Sequence, residues 1–145
     1  MDCIKVKRLR ENAILPTYGS LEAAGADLYA CLEDDIVIAP GKSAFVPTGL
    51  AMEIPKSCAG LIYARSGLAC KRGLAPANKV GVIDSDYRGE FMVVLYNHGD
   101  QEQTVCHGER IAQLVITPIL TPAYEETDDL TDTKRSAGGF GSTGK

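Results

Sequence analysis

SAFVPTGLAMEIPKSCAGLIYA, residues 43–64, decides the fold class. Two short runs rich in branched and apolar side chains, SAFVPTGLAMEI and GLIYA, are interrupted by Pro47, Gly49, Pro55 and Gly60. Prolines at such intervals remove backbone donors and force chain reversals, so long helices are disfavoured and short strands are expected. The same texture extends both ways. Upstream, Ile4 and Val6 alternate with Lys5 and Lys7, and DLYAC (27–31) and DIVIAP (35–40) follow. Downstream come KVGVI (79–83), EFMVVLYN (90–97), QTVC (103–106) and IAQLVITPIL (111–120). Period-two alternation at Ile4 to Lys7 marks a half-buried strand, and most of the other runs carry β-branched or aromatic residues closed by Gly, Pro, Asn or Asp. Many short strands at intervals of roughly 8–12 residues imply an all-β sandwich or barrel of the jelly-roll kind. One short helix is expected over SGLACKRG (66–73), with Ser66 as N-cap and Gly73 as its stop.

The chain has 145 residues, 45% of them apolar, which suits one packed domain. No apolar run reaches the roughly 18 residues of a membrane span, and MDCIKVKRLRENA lacks the apolar stretch of a secretion signal. A cytoplasmic protein with no membrane partner is the expectation. The formal net charge of −4 argues against a nucleic-acid partner, since duplex binders present a basic face. It leaves room for a small phosphorylated ligand in a locally cationic cleft. Five scattered cysteines without a CxxC pair, and only two histidines, fit neither a disulfide framework nor a zinc site. They read as small buried hydrophobes in a reducing compartment. No internal repeat is present.

Composition changes near residue 123. YEETDDLTDTK (124–134) is acidic and RSAGGFGSTGK (135–145) is Gly-rich, so a flexible tail is expected after a body of residues 1–122. The last seven residues, GFGSTGK, match the spacing of a P-loop, but a P-loop needs a strand before it, a helix after it and a Ser or Thr after the Lys, so none is expected here. The tail's chemistry is nonetheless suited to an anion. Its glycines let backbone N–H groups approach closely, Ser142 and Thr143 add hydroxyls, and Arg135 adds a planar guanidinium. Phe140 is an aromatic ring able to stack on a base. A solubilising linker is the simpler reading of such a tail alone.

Four further segments carry chemistry, each with an ordinary explanation beside it. YARSGLA (63–69) puts Arg65, Ser66 and Gly67 where a strand meets the short helix, which suits a phosphate or merely an N-cap. GVIDSDYRGE (81–90) carries Asp84, Asp86, Tyr87, Arg88 and Glu90, either as a solvated hairpin turn or as the source of a general base. GERIAQL (108–114) opens a strand with Glu109, Arg110 and Gln113 as its polar members, which also suits an exposed hairpin start. AAGADLYA (23–30) sets Asp27 in an apolar stretch, where a carboxylate must be solvated, paired or serving a metal.

These segments and the tail, in this order from residue 23 to residue 144, resemble the five motifs of the trimeric dUTPase family. The resemblance covers nearly the whole chain. It implies a jelly-roll subunit, a homotrimer whose sites lie between subunits, and hydrolysis of dUTP to dUMP and pyrophosphate by water attack on the α-phosphorus. That reaction keeps uracil out of DNA and supplies dUMP for thymidylate synthesis. Asp84 matches the carboxylate that activates water. Asn78 matches the uracil contact, with Val82 in the backbone that reads the rest of the base edge, and Tyr87 matches the ring beneath deoxyribose. Arg65, Ser66, Gly67 and Gln113 match phosphate contacts. Arg135, Phe140, Gly141, Ser142 and Thr143 match a lid, residues 123–145, that closes over substrate. The implied cofactor is Mg²⁺, held indirectly by substrate phosphates and water with Asp27 as supporting acid. Two rivals remain open at this point: a dCTP deaminase of the same fold, and a dUTP-binding signalling protein without turnover.

Overall fold

The structure, a computed structural model, describes residues 3–139. Short strands dominate: β1 (Val6–Arg8), β2 (Thr17–Tyr18), β3 (Ala26–Tyr29), β4 (Ile36–Ile38), β5 (Ser43–Pro47), β6 (Leu50–Met52) and β7 (Cys58–Tyr63) precede the helix α1 (Ser66–Arg72). β8 (Leu74–Pro76), β9 (Gly81–Ile83), β10 (Met92–Asn97), β11 (Gln103–Val105) and β12 (Arg110–Pro118) follow it. The largest sheet runs β2-β3-β12-β7-β9, and a second runs β5-β10-β8. β1 pairs with β6, and β4 with β11. All pairs are antiparallel. Successive strands repeatedly change sheet, as β9 to β10 and β11 to β12 do, which gives the jelly-roll-like topology expected of these residues.

Alternation explains what holds the sheets together. On β10, Val93 and Leu95 turn inward and are essentially buried, while Met92, Val94 and Tyr96 face outward. Leu28, Ile38, Val46, Leu50, Leu74, Phe91, Val105 and Ile111 complete the interior between the sheets. Each such side chain contributes about 1.5–3 kcal/mol on burial. The buried amide of Asn97 is satisfied by Ile38 O at 2.9 Å and Gln101 O at 2.8 Å, tying the end of β10 to β4.

Several local expectations change. SAFVPTGLAMEI is two strands, because Thr48 turns inward and its hydroxyl donates to Phe91 O at 2.7 Å. KVGVI begins its strand only at Gly81, after a tight turn in which Val80 N–H donates to Asn78 O at 2.7 Å. β2 and β8 were not expected; both are short edge strands, where Pro76 removes no needed donor. Arg65, not Ser66, caps α1, with no side-chain hydrogen bond, and Ser66 is the first helical residue. Gly73 does end the helix, in left-handed backbone with φ of 64°. Of the cysteines only Cys31 and Cys58 are buried; Cys3 and Cys70 are exposed and Cys106 is intermediate. Burial pushes the Cys31 thiol up from its usual range, which keeps it protonated, and its S–H donates to Asn12 Oδ1 at 3.2 Å.

β12 carries a bulge. Arg110 lies opposite Tyr29 but Ala112 lies opposite Leu28, leaving Ile111 as the extra residue. Ile111 and Ala112 are both buried, and the kink lets Arg110 and Gln113 both approach the position of Asp27. Beyond Pro118, residues 119–139 form no strand or helix, and Leu120, Tyr124 and Leu130 are each at least 87% exposed. Among the described residues no helix is long and apolar enough to cross a membrane.

Candidate active site

GVIDSDYRGE is not a hairpin turn. It carries the chain from β9, in the five-stranded sheet, to β10, in the three-stranded one. The crossing is braced from within. Tyr87 N–H donates to Asp84 O at 3.2 Å, and Arg88 Nη1 donates to Ser85 O at 2.8 Å and Tyr87 O at 2.9 Å. The far end is anchored to the barrel, because Glu90 Oε1 accepts from Gly49 N–H at 2.8 Å. The Tyr87 hydroxyl donates to Glu90 O at 3.1 Å, and its ring sits 6.2 Å from that of Phe91. Gly89 is required here for room: a Cβ at that position would lie 2.3 Å from the Tyr87 hydroxyl.

This loop forms one wall of a cavity of about 390 Å³, large enough for a base and sugar. Asn78, Val82, Asp84 and Tyr87 line it together, so the structure does unite four of the sequence-predicted residues. Asp84 is exposed, and none of the ion pairs among the described residues involves it. Its carboxylate is therefore available to accept a proton or orient a water.

A second cluster gathers Asp27, Arg65 and Gln113. The Asp27 carboxylate, 14% exposed, accepts from Arg65 Nε at 2.7 Å and from Arg110 Nη1 at 3.3 Å. Arg65 and Arg110 also touch directly, Nη1 donating to the Arg110 carbonyl at 3.4 Å. Gln113 Nε2 donates to Ala64 O at 2.8 Å, beside Arg65 in the chain. A carboxylate taken from water needs such partners. Both Asp27 oxygens are thus engaged by arginines. Arg65 and Gly67 line an open cavity with Lys71, Arg72, Glu109 and Arg110, a mostly cationic wall suited to phosphates. Ser66 stands exposed between the two lining residues.

Arg110 is a member of this cluster that the sequence reading left without a role. Its partner Asp27 lies 83 positions earlier, and nothing local announces the pair. The remaining expected residues are not brought together with these. Arg135 lies on the arm, its Nε donating to Gly138 O at 2.8 Å, and lines neither cavity. Phe140, Gly141, Ser142 and Thr143 lie outside the described residues. Among the described residues, no group of three or more His, Cys, Asp or Glu side chains could hold a metal ion.

The dUTPase family model matches residues 11–144. A deoxyuridine 5'-triphosphate nucleotidohydrolase of Syntrophotalea carbinolica is 49% identical over 141 residues, covering 97% of this chain and 96% of that one. A protein of the same name from Desulfitobacterium hafniense is 48% identical, with 99% of each chain covered. Among solved structures, a Staphylococcus bacteriophage 80alpha dUTPase with dUpNHpp superposes with a TM-score of 0.90 at 28% identity, over 100% of both chains. A mutant dUTPase from phage phi11 of S. aureus, described with a structural Mg(II) ion, superposes with a TM-score of 0.79 at 25% identity, over 88% of this chain and 98% of that one. A match of this extent to the family model, with relatives this similar across almost the full length, settles the family: the chain belongs to the dUTPases.

Proposed function

We propose that this dUTPase carries out its reaction, hydrolysis of dUTP to dUMP and pyrophosphate, at sites shared between copies of the chain. The observation that carries this reading is the division of the site. Asn78, Val82, Asp84 and Tyr87 line one cavity, Arg65 and Gly67 line another, and the two share no residue. A triphosphate must meet both sets at once, which a closed homotrimer achieves by setting one chain's first cavity against its neighbour's second. An apolar groove of about 580 Å³, lined in part by Leu15, Tyr18, Met52, Leu114 and Ile116, supports association, as do the exposed Leu120, Tyr124 and Leu130 of the arm.

In this reading Asn78 and the backbone around Val82 receive uracil, and Tyr87 lies against deoxyribose. Arg65, Ser66, Gly67 and Gln113 of a neighbour hold the phosphates, with Asp27 fixing the Arg65 guanidinium. Asp84 orients a water and takes its proton as the oxygen attacks the α-phosphorus, and pyrophosphate leaves. Mg²⁺, held through the substrate phosphates and water, would neutralise their charge. Residues 1–122 form the barrel domain. Residues 123–145 serve as an arm whose Arg135, Phe140, Gly141, Ser142 and Thr143 close the site against water. The free thiols fit a cytoplasmic location.

Subunit mixing tests the shared site. Asp84→Asn and Arg65→Ala chains, each nearly inactive alone, are co-refolded in equal amounts. Random assembly into trimers leaves about a quarter of the sites with both residues intact, so activity returns to that level. A mixture no more active than its parents would put both residues in one chain's site.

Tyr87 is expected to reject the 2′-hydroxyl of UTP. Its ring is pinned through the Glu90 carbonyl, and Gly89 leaves it space, so a ribose hydroxyl meets a fixed apolar face. Burying that group unpaired costs about 1–3 kcal/mol. Tyr87→Ala therefore lowers kcat/KM for dUTP and narrows the dUTP/UTP ratio, measured with both nucleotides. An unchanged ratio would move 2′-recognition to another group.

A further inference from the structure

We propose that Arg72 is a positioning residue for the triphosphate, acting through Glu109 rather than on the substrate. The inference rests on the assignment of Arg65 and Gln113 to the phosphates.

α1 has seven residues and a single buried side chain, Leu68, so it is too short to hold its own orientation. Its start carries Arg65, Ser66 and Gly67, and its last residue is Arg72. The Arg72 guanidinium reaches across to β11 and to the turn that follows it. Nε donates to Gln103 Oε1 at 2.9 Å, Nη1 lies 3.2 Å from each Glu109 oxygen, and Nη2 donates to the Thr104 carbonyl. One planar fork thus engages three residues of the neighbouring segment.

These contacts close a ring. Glu109 precedes Arg110 in the chain, Arg110 holds Asp27, and Asp27 holds Arg65 at the other end of the same helix. The helix is therefore gripped at both ends by one strand start, and the phosphate-facing groups of α1 and β12 share a frame. Arg72 and Glu109 are 29% and 33% exposed, so the pair is sheltered enough for its geometry to matter. Releasing Arg72 removes the side-chain clamp at this end of α1 and leaves only the backbone bond from His98 N–H to Gly73 O and the β8 pairing to hold it. It also leaves the Glu109 carboxylate unneutralised on a cavity wall that faces phosphates.

Arg72→Lys keeps the charge and loses the fork. The test compares its affinity, and that of Glu109→Gln, for dUpNHpp and for dUMP, in assemblies whose size and Tm are measured first. Misplacing a positioning group by a fraction of an ångström costs about tenfold or more. Arg72→Lys is expected to bind dUpNHpp about tenfold more weakly while its affinity for dUMP, which lacks the outer phosphates, changes less than about twofold. Glu109→Gln gives the sharper sign. Removing an acid from an anion site would by itself tighten dUpNHpp, whereas loss of the clamp weakens it. Weaker dUpNHpp binding in both variants with dUMP spared supports the clamp. Unchanged or tighter binding, or equal losses for both nucleotides, overturns it. Arg65→Ala runs alongside: if it too binds dUpNHpp normally, the phosphate assignment itself has failed, and not only the clamp.

Discussion

Asp84→Asn slows dUTP turnover by about 10²–10⁴-fold, the usual worth of a general base, while the protein still binds nucleotide. The substitution keeps the shape and size of the side chain and removes its ability to accept a proton. The geometry singles out Asp84 among three acids of one loop. Glu90 also lines the cavity, but its carboxylate is spent on the Gly49 N–H and lies 3.9 Å from Arg10. Asp86 is exposed and does not line the cavity. Only Asp84 combines a place on the wall with a carboxylate free of ion pairs. Single-turnover pyrophosphate release and equilibrium binding of dUpNHpp separate the two effects. Near-normal turnover would remove Asp84 from the role.

Deleting residues 135–145 has a comparable effect for a different reason. The body should stay folded and assembled, because residues 119–139 add no strand to any sheet and bury little. Turnover should fall to near nothing if the lid proposal holds, because the proposed phosphate donors Arg135, Ser142 and Thr143 and the proposed stacking ring Phe140 are lost together. Thermal unfolding, size and steady-state rate of the truncated protein give the answer. Wild-type turnover would end the lid proposal, and a monomeric product would make the tail structural as well.

The strands that sequence reveals are the longer ones. β10 stands out because Met92 to Tyr96 is an unbroken apolar run rich in β-branched and aromatic side chains and closed by Asn97, and its limits are legible to within a residue or two. β2 and β8 are edges of two and three residues, too short to alternate visibly. The connection at residues 84–90 looks like a hairpin because turn residues look alike whether the chain returns to the same sheet or crosses to another. At the site, Asp27 was legible as an acid in need of partners, since an apolar stretch cannot leave a carboxylate unpaired. Its partners were not: Arg65 and Arg110 lie 38 and 83 positions away. The division of the predicted contacts between two cavities was likewise invisible along the chain, for it depends on which wall each loop faces.

The bulge at Ile111 acts as a frameshift written into backbone. Side chains three apart on a regular strand point to opposite faces, yet Arg110 and Gln113 both serve the Asp27 side because one surplus residue resets the count between them. What evolution must guard in this segment is therefore its number of residues as much as their identity. Loss of Ile111 alone would turn Arg110 to the wrong face with Arg110, Gln113 and Asp27 all still present. A relative that varies freely in composition along β12, but never in length between these two positions, would be obeying the same constraint.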